Sequence, residues 1–188
     1  MAYFHLIHMK GIRYTDDEDF NELHDKINIL VLSNYEKLSY FFLQYFLNEN
    51  FKARIIKMSV VGEPRICRIA FPDAVITVFF KVDTNIPKLS RELNIKVAIE
   101  IKSHVKSFGE TLRQLQIYKD CIGSSNYHEV KRKLGVNIVI DYSKFVFLVT
   151  PDHRFDAAFK SQGFEVLDPS FFGEFSEKIN NQKNLDNF

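Results

Sequence analysis

The stretch Val97-Ala98-Ile99-Glu100-Ile101-Lys102 alternates strictly along its length, and that alternation limits the fold more than any other feature of the chain. A strand of period two turns Val97, Ile99 and Ile101 to one face and Ala98, Glu100 and Lys102 to the other. Residues two apart share a face, so Glu100 and Lys102 point into the same small volume. About 25 residues earlier, Arg65 to Val78 is also strand-like, through Ile66, Ile69, Phe71, Val75, Ile76 and Val78. Pro72 falls inside it, which predicts an edge, bulge or bend that ends regular pairing at Asp73. Two neighbouring strands of this kind gather an Asp, a Glu and a Lys into one site.

Phosphodiester cleavage needs such a set. Hard oxygen ligands hold Mg²⁺ or Mn²⁺, which makes water a usable nucleophile and stabilises charge on the leaving oxygen. A nearby ammonium orients or deprotonates that water, or neutralises the transition state. Alone, E-x-K on one strand is more often a solvated, self-paired face. Pro72-Asp73 followed by Glu100-Ile101-Lys102, in this order and at this spacing, resembles the PD-(D/E)xK nuclease superfamily.

The next segment agrees with that resemblance. After Ser103 to Lys106, the apolar positions Phe108, Leu112, Leu115, Tyr118 and Ile122 fall on one helical stripe. Ser107 with Glu110 forms a capping box at its start, and Gly123 is the predicted stop. Inside the helix, Gln114 and Tyr118 lie four apart on one face as Q-x-x-x-Y. That motif after E-x-K looks like the RecB-type and phage-exonuclease branch, in which the Gln borders the active site and the Tyr supports it. The plainer reading is a solvent-facing Gln beside a core Tyr.

The superfamily also tends to carry an acid on the helix before its first strand. Glu22 is followed by Lys26 at i+4, which suits an exposed ion pair. Glu36 lies on the row Leu32, Glu36, Tyr40, Leu43, Leu47, where an acid among apolar neighbours requires a partner. Glu36 is therefore the expected contributor.

Composition bounds the remainder. The 188 residues, 46% hydrophobic, suit one globular domain over 1–188. Cys67 and Cys121 offer no disulfide framework and no C-x-x-C spacing, so they read as small buried hydrophobes in a reducing compartment. Two cysteines cannot supply the four ligands of the iron–sulfur nucleases of the same branch, so no iron–sulfur cluster is expected. The six histidines have no H-E-x-x-H company, which makes a structural zinc site a poor reading. No P-loop, G-x-G-x-x-G or G-x-S-x-G occurs, which disfavours Walker-type hydrolysis and serine esterase chemistry. No signal peptide or apolar run of about 18 residues appears, so a soluble, intracellular, cytoplasmic protein without a membrane role is expected.

The net charge of +1 gives no global sign of nucleic-acid binding. Its distribution is more informative: His104, Lys106, Arg113, Lys131, Arg132 and Lys133 follow the E-x-K strand and form the expected nucleic-acid contacts. The run 131–133 is equally explained as a solvated turn. The acids Asp16 to Asp19 open the first helix, where Thr15 caps and the helix dipole favours negative charge.

The element order then reads as a helix over 16–48, broken near 29–33, and strands at 53–61 and 65–73. A connecting loop over 83–94 leads to a strand at 96–102 and the Gln114 helix. Strands at 136–141 and 145–150, a short helix at 155–162, a strand at 164–167 and a helix from Ser170 follow. The expected fold is α/β, a restriction-endonuclease-like αβββαβ core with a mixed central sheet flanked by helices. The core spans about 17–150, with a C-terminal α/β extension at 151–180 and a frayed tail at 181–188.

The resemblance implies a Mg²⁺- or Mn²⁺-dependent deoxyribonuclease acting on DNA, with RNA left open, and it admits a homodimer. Asp73 and Glu100, with the Ile101 backbone carbonyl, are the implied metal ligands. Lys102 handles the attacking water, Gln114 fixes the water–lysine network, Tyr118 braces the helix and Glu36 adds an outer contact. Q-x-x-x-Y tilts the activity toward an exonuclease. The alternatives are a structure-specific or restriction-like endonuclease, and a catalytically silent nucleic-acid- or protein-binding module on the same fold.

Overall fold

Among the described residues five strands, β1 (Phe51–Gly62), β2 (Ala74–Thr84), β3 (Ser90–Ile101), β4 (Val146–Val149) and β5 (Glu165–Leu167), pair in chain order into one sheet. The structure is a computed structural model that describes residues 18–39, 41–42, 51–84, 90–134 and 145–175. β1, β2 and β3 are antiparallel, whereas β3, β4 and β5 run parallel, so the sheet is mixed. Helix α1 (Glu18–Asn34) precedes β1, α2 (Phe108–Leu134) joins β3 to β4, and α3 (Asp156–Ser161) joins β4 to β5.

The sheet is covered on both faces. Ile99 and Phe147 are register neighbours and share a face, which Phe41 and Phe42 cover, with ring centroids 5.7 and 6.2 Å from that of Phe147. Glu100 and Leu148 face the other way, where Tyr118 of α2 reaches Glu100. Covered on both sides, every residue from Val97 to Ile101 is buried, so the alternation in this strand separates two interiors and not core from solvent. Asn126 docks α2 on β3: it accepts from the Lys96 N–H at 2.9 Å and donates to the Lys96 carbonyl at 2.8 Å.

The sequence reading agrees with the structure in part: the strand expected at 65–73 is absent, the chain at the helix expected from Ser170 makes only a 3-10 turn (Pro169–Phe171), and several boundaries differ. Residues 65–73 are not a strand but a loop between β1 and β2. Ile66 and Ile69 are three apart and cannot share a strand face. The loop folds on itself, with the Ile66 N–H on the Ala70 carbonyl at 3.1 Å. The expected connecting loop at 83–94 is shorter, because β2 runs to Thr84 and β3 begins at Ser90. Leu93 and Ile95 are buried while Glu92, Asn94 and Lys96, on the opposite face, are exposed, so these polar residues are the wet face of an antiparallel strand.

Ser107 caps α2 through the Glu110 N–H at 3.4 Å, as its sequence predicts. The helix does not stop at Gly123. Gly123 lies buried on the stripe with Tyr118, Ile122 and Asn126, and packing outweighs the roughly 1 kcal/mol that a mid-helix glycine costs. The first helix breaks later than expected, passing at Asn34 into a 3-10 turn (Tyr35–Leu38). The Thr15 cap, the strand at 136–141 and the residues beyond 175 lie outside the described residues.

Cys67 and Cys121 form a disulfide with Cα atoms 6.1 Å apart, which corrects the expectation of two free thiols. Nothing in a C-x₅₃-C spacing signals pairing, because the contact arises only when α2 packs beside the β1–β2 loop. The cysteines therefore do not argue for a reducing compartment. The bridge spans 54 residues of chain, so on loop-entropy grounds its reduction should lower unfolding free energy by about 4 kcal/mol. A urea titration with and without dithiol checks this, and coincident midpoints would rule it out.

Candidate active site

Where the β2–β3 ladder ends, the sequence forces a change of partner. β2 and β3 pair up to Ala74 and Ile99, and the continued register would set Pro72 opposite Ile101. Proline offers no N–H, so regular pairing cannot continue. The Asp73 carboxylate takes over, its Oδ2 accepting from the Ile101 N–H at 2.6 Å. The sequence reading of Asp73 as the residue at which pairing ends is thereby given its atomic cause.

The same hydrogen bond brings Asp73 beside Glu100. Glu100 is 2% exposed, yet both of its oxygens have partners. Oε1 binds the Lys102 ammonium, and Oε2 accepts from the Tyr118 hydroxyl at 2.9 Å. Gln114 Nε2 donates to that hydroxyl at 2.6 Å. Tyr118 has a second acceptor in the Phe71 carbonyl at 3.2 Å, and so bridges α2, β3 and the β1–β2 loop. Asp73, Glu100, Lys102, Gln114 and Tyr118 thus form one connected cluster drawn from three separated stretches of sequence.

Its electrostatics are those of an under-compensated pair of acids. Burial, then the Asp73 charge, pushes the Glu100 carboxyl up to about 7, although Lys102 and Tyr118 pull it down. Burial and the adjacent Glu100 hold the Tyr118 phenol well above its ordinary value, so it remains a hydrogen-bond donor. His24 of α1, one of the histidines that the sequence gives no site, sits with Nε2 3.4 Å from Asp73 Oδ1. Its hydrogen bond to Asp73, against the opposing effect of burial, raises its pKa above the usual imidazole value. The signal lay in the α1 stripe: His24 is flanked by Leu23, Ile27 and Val31, all buried.

Glu36 was expected here and is not in the cluster. It is exposed on the 3-10 turn, because α1 ends before it and the i, i+4 row through Leu32 is broken. His104 is engaged elsewhere, with Nδ1 3.2 Å from Asp152 Oδ2 and the Arg154 guanidinium at 3.1 Å. Arg154 holds the Asp152 carboxyl well below the usual carboxylate range. Lys106 and Arg113 are exposed near the start of α2. Lys131, Arg132 and Lys133 occupy its last turn and not a connecting turn, where they complement the helix dipole. Arg132 also pairs with Glu129 at 2.5 Å, and Lys131 lies over the Tyr127 ring at 5.6 Å.

The chain matches no protein-family model, no curated protein and no solved structure. The cluster must be read from its own chemistry. Among the described residues no three His, Cys, Asp or Glu side chains converge to enclose a metal by themselves. The donors available are two carboxylates and the backbone carbonyl of Ile101, all hard oxygens suited to Mg²⁺ or Mn²⁺. The Glu100 carboxyl, raised by burial and then by the Asp73 charge, would be held ionised by a divalent cation, so the donor set is compatible with one. Among the described residues no helix is long and apolar enough to cross a membrane.

Proposed function

We propose that the protein is a metal-dependent nuclease of PD-(D/E)xK type, built on a restriction-endonuclease-like αβββαβ core with β5 as a C-terminal addition. The observation that carries this reading is the Asp73, Glu100 and Lys102 cluster, joined through Tyr118 to Gln114. A surface ion pair would need neither a buried Glu100 nor the reach from Asp73 to Ile101.

Asp73, Glu100 and the Ile101 carbonyl would hold Mg²⁺ or Mn²⁺. When bound, the cation supplies Lewis acidity at a phosphoryl oxygen and acidifies a water. Lys102, about a third exposed, is free to swing its ammonium from Glu100 toward an attacking water or a developing phosphorane charge. Tyr118 fixes the orientation of Glu100, and Gln114 fixes Tyr118. Attack by water at phosphorus breaks the bond to the 3′ oxygen and leaves a 5′-phosphate, as the resemblance implies. Q-x-x-x-Y favours an exonuclease or end-processing role on DNA.

One observation favours a second reading, a silent binding module on the same fold. Lys102 already neutralises one oxygen of Glu100, so the cluster is partly satisfied without a metal.

Cleavage of end-labelled linear and covalently closed circular DNA with Mn²⁺, wild type beside Lys102→Ala, separates these. Metal-dependent loss of the linear species alone, absent in the variant, is the expected result. Cutting of the circle would assign an endonuclease. If neither DNA is cut, or the variant cuts like wild type, the nuclease reading fails.

A further inference from the structure

The β1–β2 loop carries two side chains whose exposure folding does not explain. Ile69 is 71% exposed and Phe71 is 53% exposed, while Ala70 between them is fully buried and Pro72 beyond is buried as well. The backbone that presents them is tied at four points. The Glu63 N–H holds the Asp73 carbonyl at 2.8 Å, and the Ile66 N–H holds the Ala70 carbonyl at 3.1 Å. The Cys67–Cys121 disulfide fastens the loop to α2, and Tyr118 donates to the Phe71 carbonyl at 3.2 Å. Ile69 and Phe71 are therefore held outward by a rigid frame, and polar residues there would leave the frame unchanged.

The surroundings select the occupant. The Arg65 guanidinium lies over the Phe71 ring at 5.7 Å while donating to the carbonyls of Cys67 and Arg68, each at 3.1 Å. Arg68 is exposed beside it. An aromatic ring and a branched apolar chain beside two guanidiniums suit stacked bases with flanking phosphates. Phe71 is two residues, about 7 Å of extended chain, from Asp73. A base on Phe71 would bring its phosphates beside the acidic cluster.

We propose that Phe71 and Ile69 form a stacking platform for unpaired bases of nucleic acid, so that the substrate enters the site as a single strand or a frayed end. Arg65 braces the ring from one side and Arg68 meets the phosphate backbone. This inference rests on the nuclease reading and narrows its substrate.

The test is a titration, in EDTA, of a single-stranded DNA oligonucleotide bearing 2-aminopurine, whose fluorescence is quenched on stacking, beside its fully paired duplex. Phe71→Ala should abolish the quench and weaken single-strand binding about tenfold, Ile69→Ser should weaken it less, and duplex binding should stay as in wild type. Because both side chains are exposed, the variants should keep the thermal stabilisation by Mn²⁺ that the acidic cluster predicts. Unchanged quench and affinity in Phe71→Ala overturns the platform and leaves the nuclease reading standing. A wild-type dimer that Phe71→Ala splits in sedimentation, with no quench in either, also overturns it and makes a second copy the occupant. A Phe71-dependent quench without any Mn²⁺ response in wild type keeps the platform and removes the nuclease reading.

Discussion

Asp73→Asn is expected to abolish metal-dependent DNA cleavage, by roughly a thousandfold, while leaving the protein folded. The size follows from the loss of one of two carboxylate ligands, a deficit of several kcal/mol at about 1.4 kcal/mol per decade of rate. The intact fold follows from what Asp73 does besides carry charge. Its Oδ2 accepts the Ile101 N–H at 2.6 Å, where Pro72 ends the ladder, and an asparagine carbonyl oxygen can accept the same bond. Asp73→Ala is a poorer instrument, since it also leaves that buried N–H without a partner, at a cost of about 1–3 kcal/mol. Cleavage rates with Mn²⁺, measured beside urea midpoints in EDTA, separate ligand from architecture. An Asn variant that cuts within a few-fold of wild type would remove Asp73 from the metal set.

How much of this could be read in the sequence depended on whether its cause was local. Period-two alternation located β3, and Q-x-x-x-Y located the face of α2 that reaches Glu100, because side-chain direction follows from backbone geometry within one element. Pro72 marked the end of pairing for the same reason. His24 escaped because its partner Asp73 is 49 positions away, and only the docking of α1 brings Nε2 within 3.4 Å. Cys67 and Cys121 escaped in the same way. Glu36 illustrates the opposite error: the helical row through Leu32 was extended across Asn34, where a 3-10 turn changes the angular step and turns the carboxylate to solvent. The loop at 65–73 reads as a strand on its apolar content alone, although Ile66 and Ile69 are three apart, and as a strand it would bury the Ile69 and Phe71 that the structure exposes.

In metal-free solution the stability of the wild type is expected to fall as pH rises from about 4.5 to about 7, then to level off. Glu100 titrates near 4.5 when unfolded and near 7 when folded, so within that window the folded chain holds a proton that the unfolded chain has lost. Stability therefore declines with pH through the window, by an amount on the order of 3 kcal/mol, and none returns above it. His24 acts in the same direction at the upper end, since its hydrogen bond to Asp73 raises its folded pKa, and its contribution is complete below 6.5 and lost as pH rises from there through the folded value. Asp152 has its folded pKa lowered from 3.8, so its contribution is lost only in more acid solution and does not oppose the trend. Glu100→Gln removes the largest part of the slope. Glutamine can accept from Tyr118 as the carboxylate does, and Lys102, about a third exposed, can be hydrated when its partner is gone. The variant should therefore be more stable than wild type at pH 8 in EDTA and should gain nothing from Mn²⁺. The wild type should recover stability when Mn²⁺ is added, because the cation offsets the repulsion between Asp73 and Glu100. Urea midpoints at pH 5, 6, 7 and 8, with EDTA and then with Mn²⁺, measure both effects. A wild type whose midpoint is flat across that range, or a Glu100→Gln variant that runs parallel to it, would mean that Glu100 is not held near neutrality by burial and by Asp73. The case for a cation between the two carboxylates would then lose its electrostatic basis.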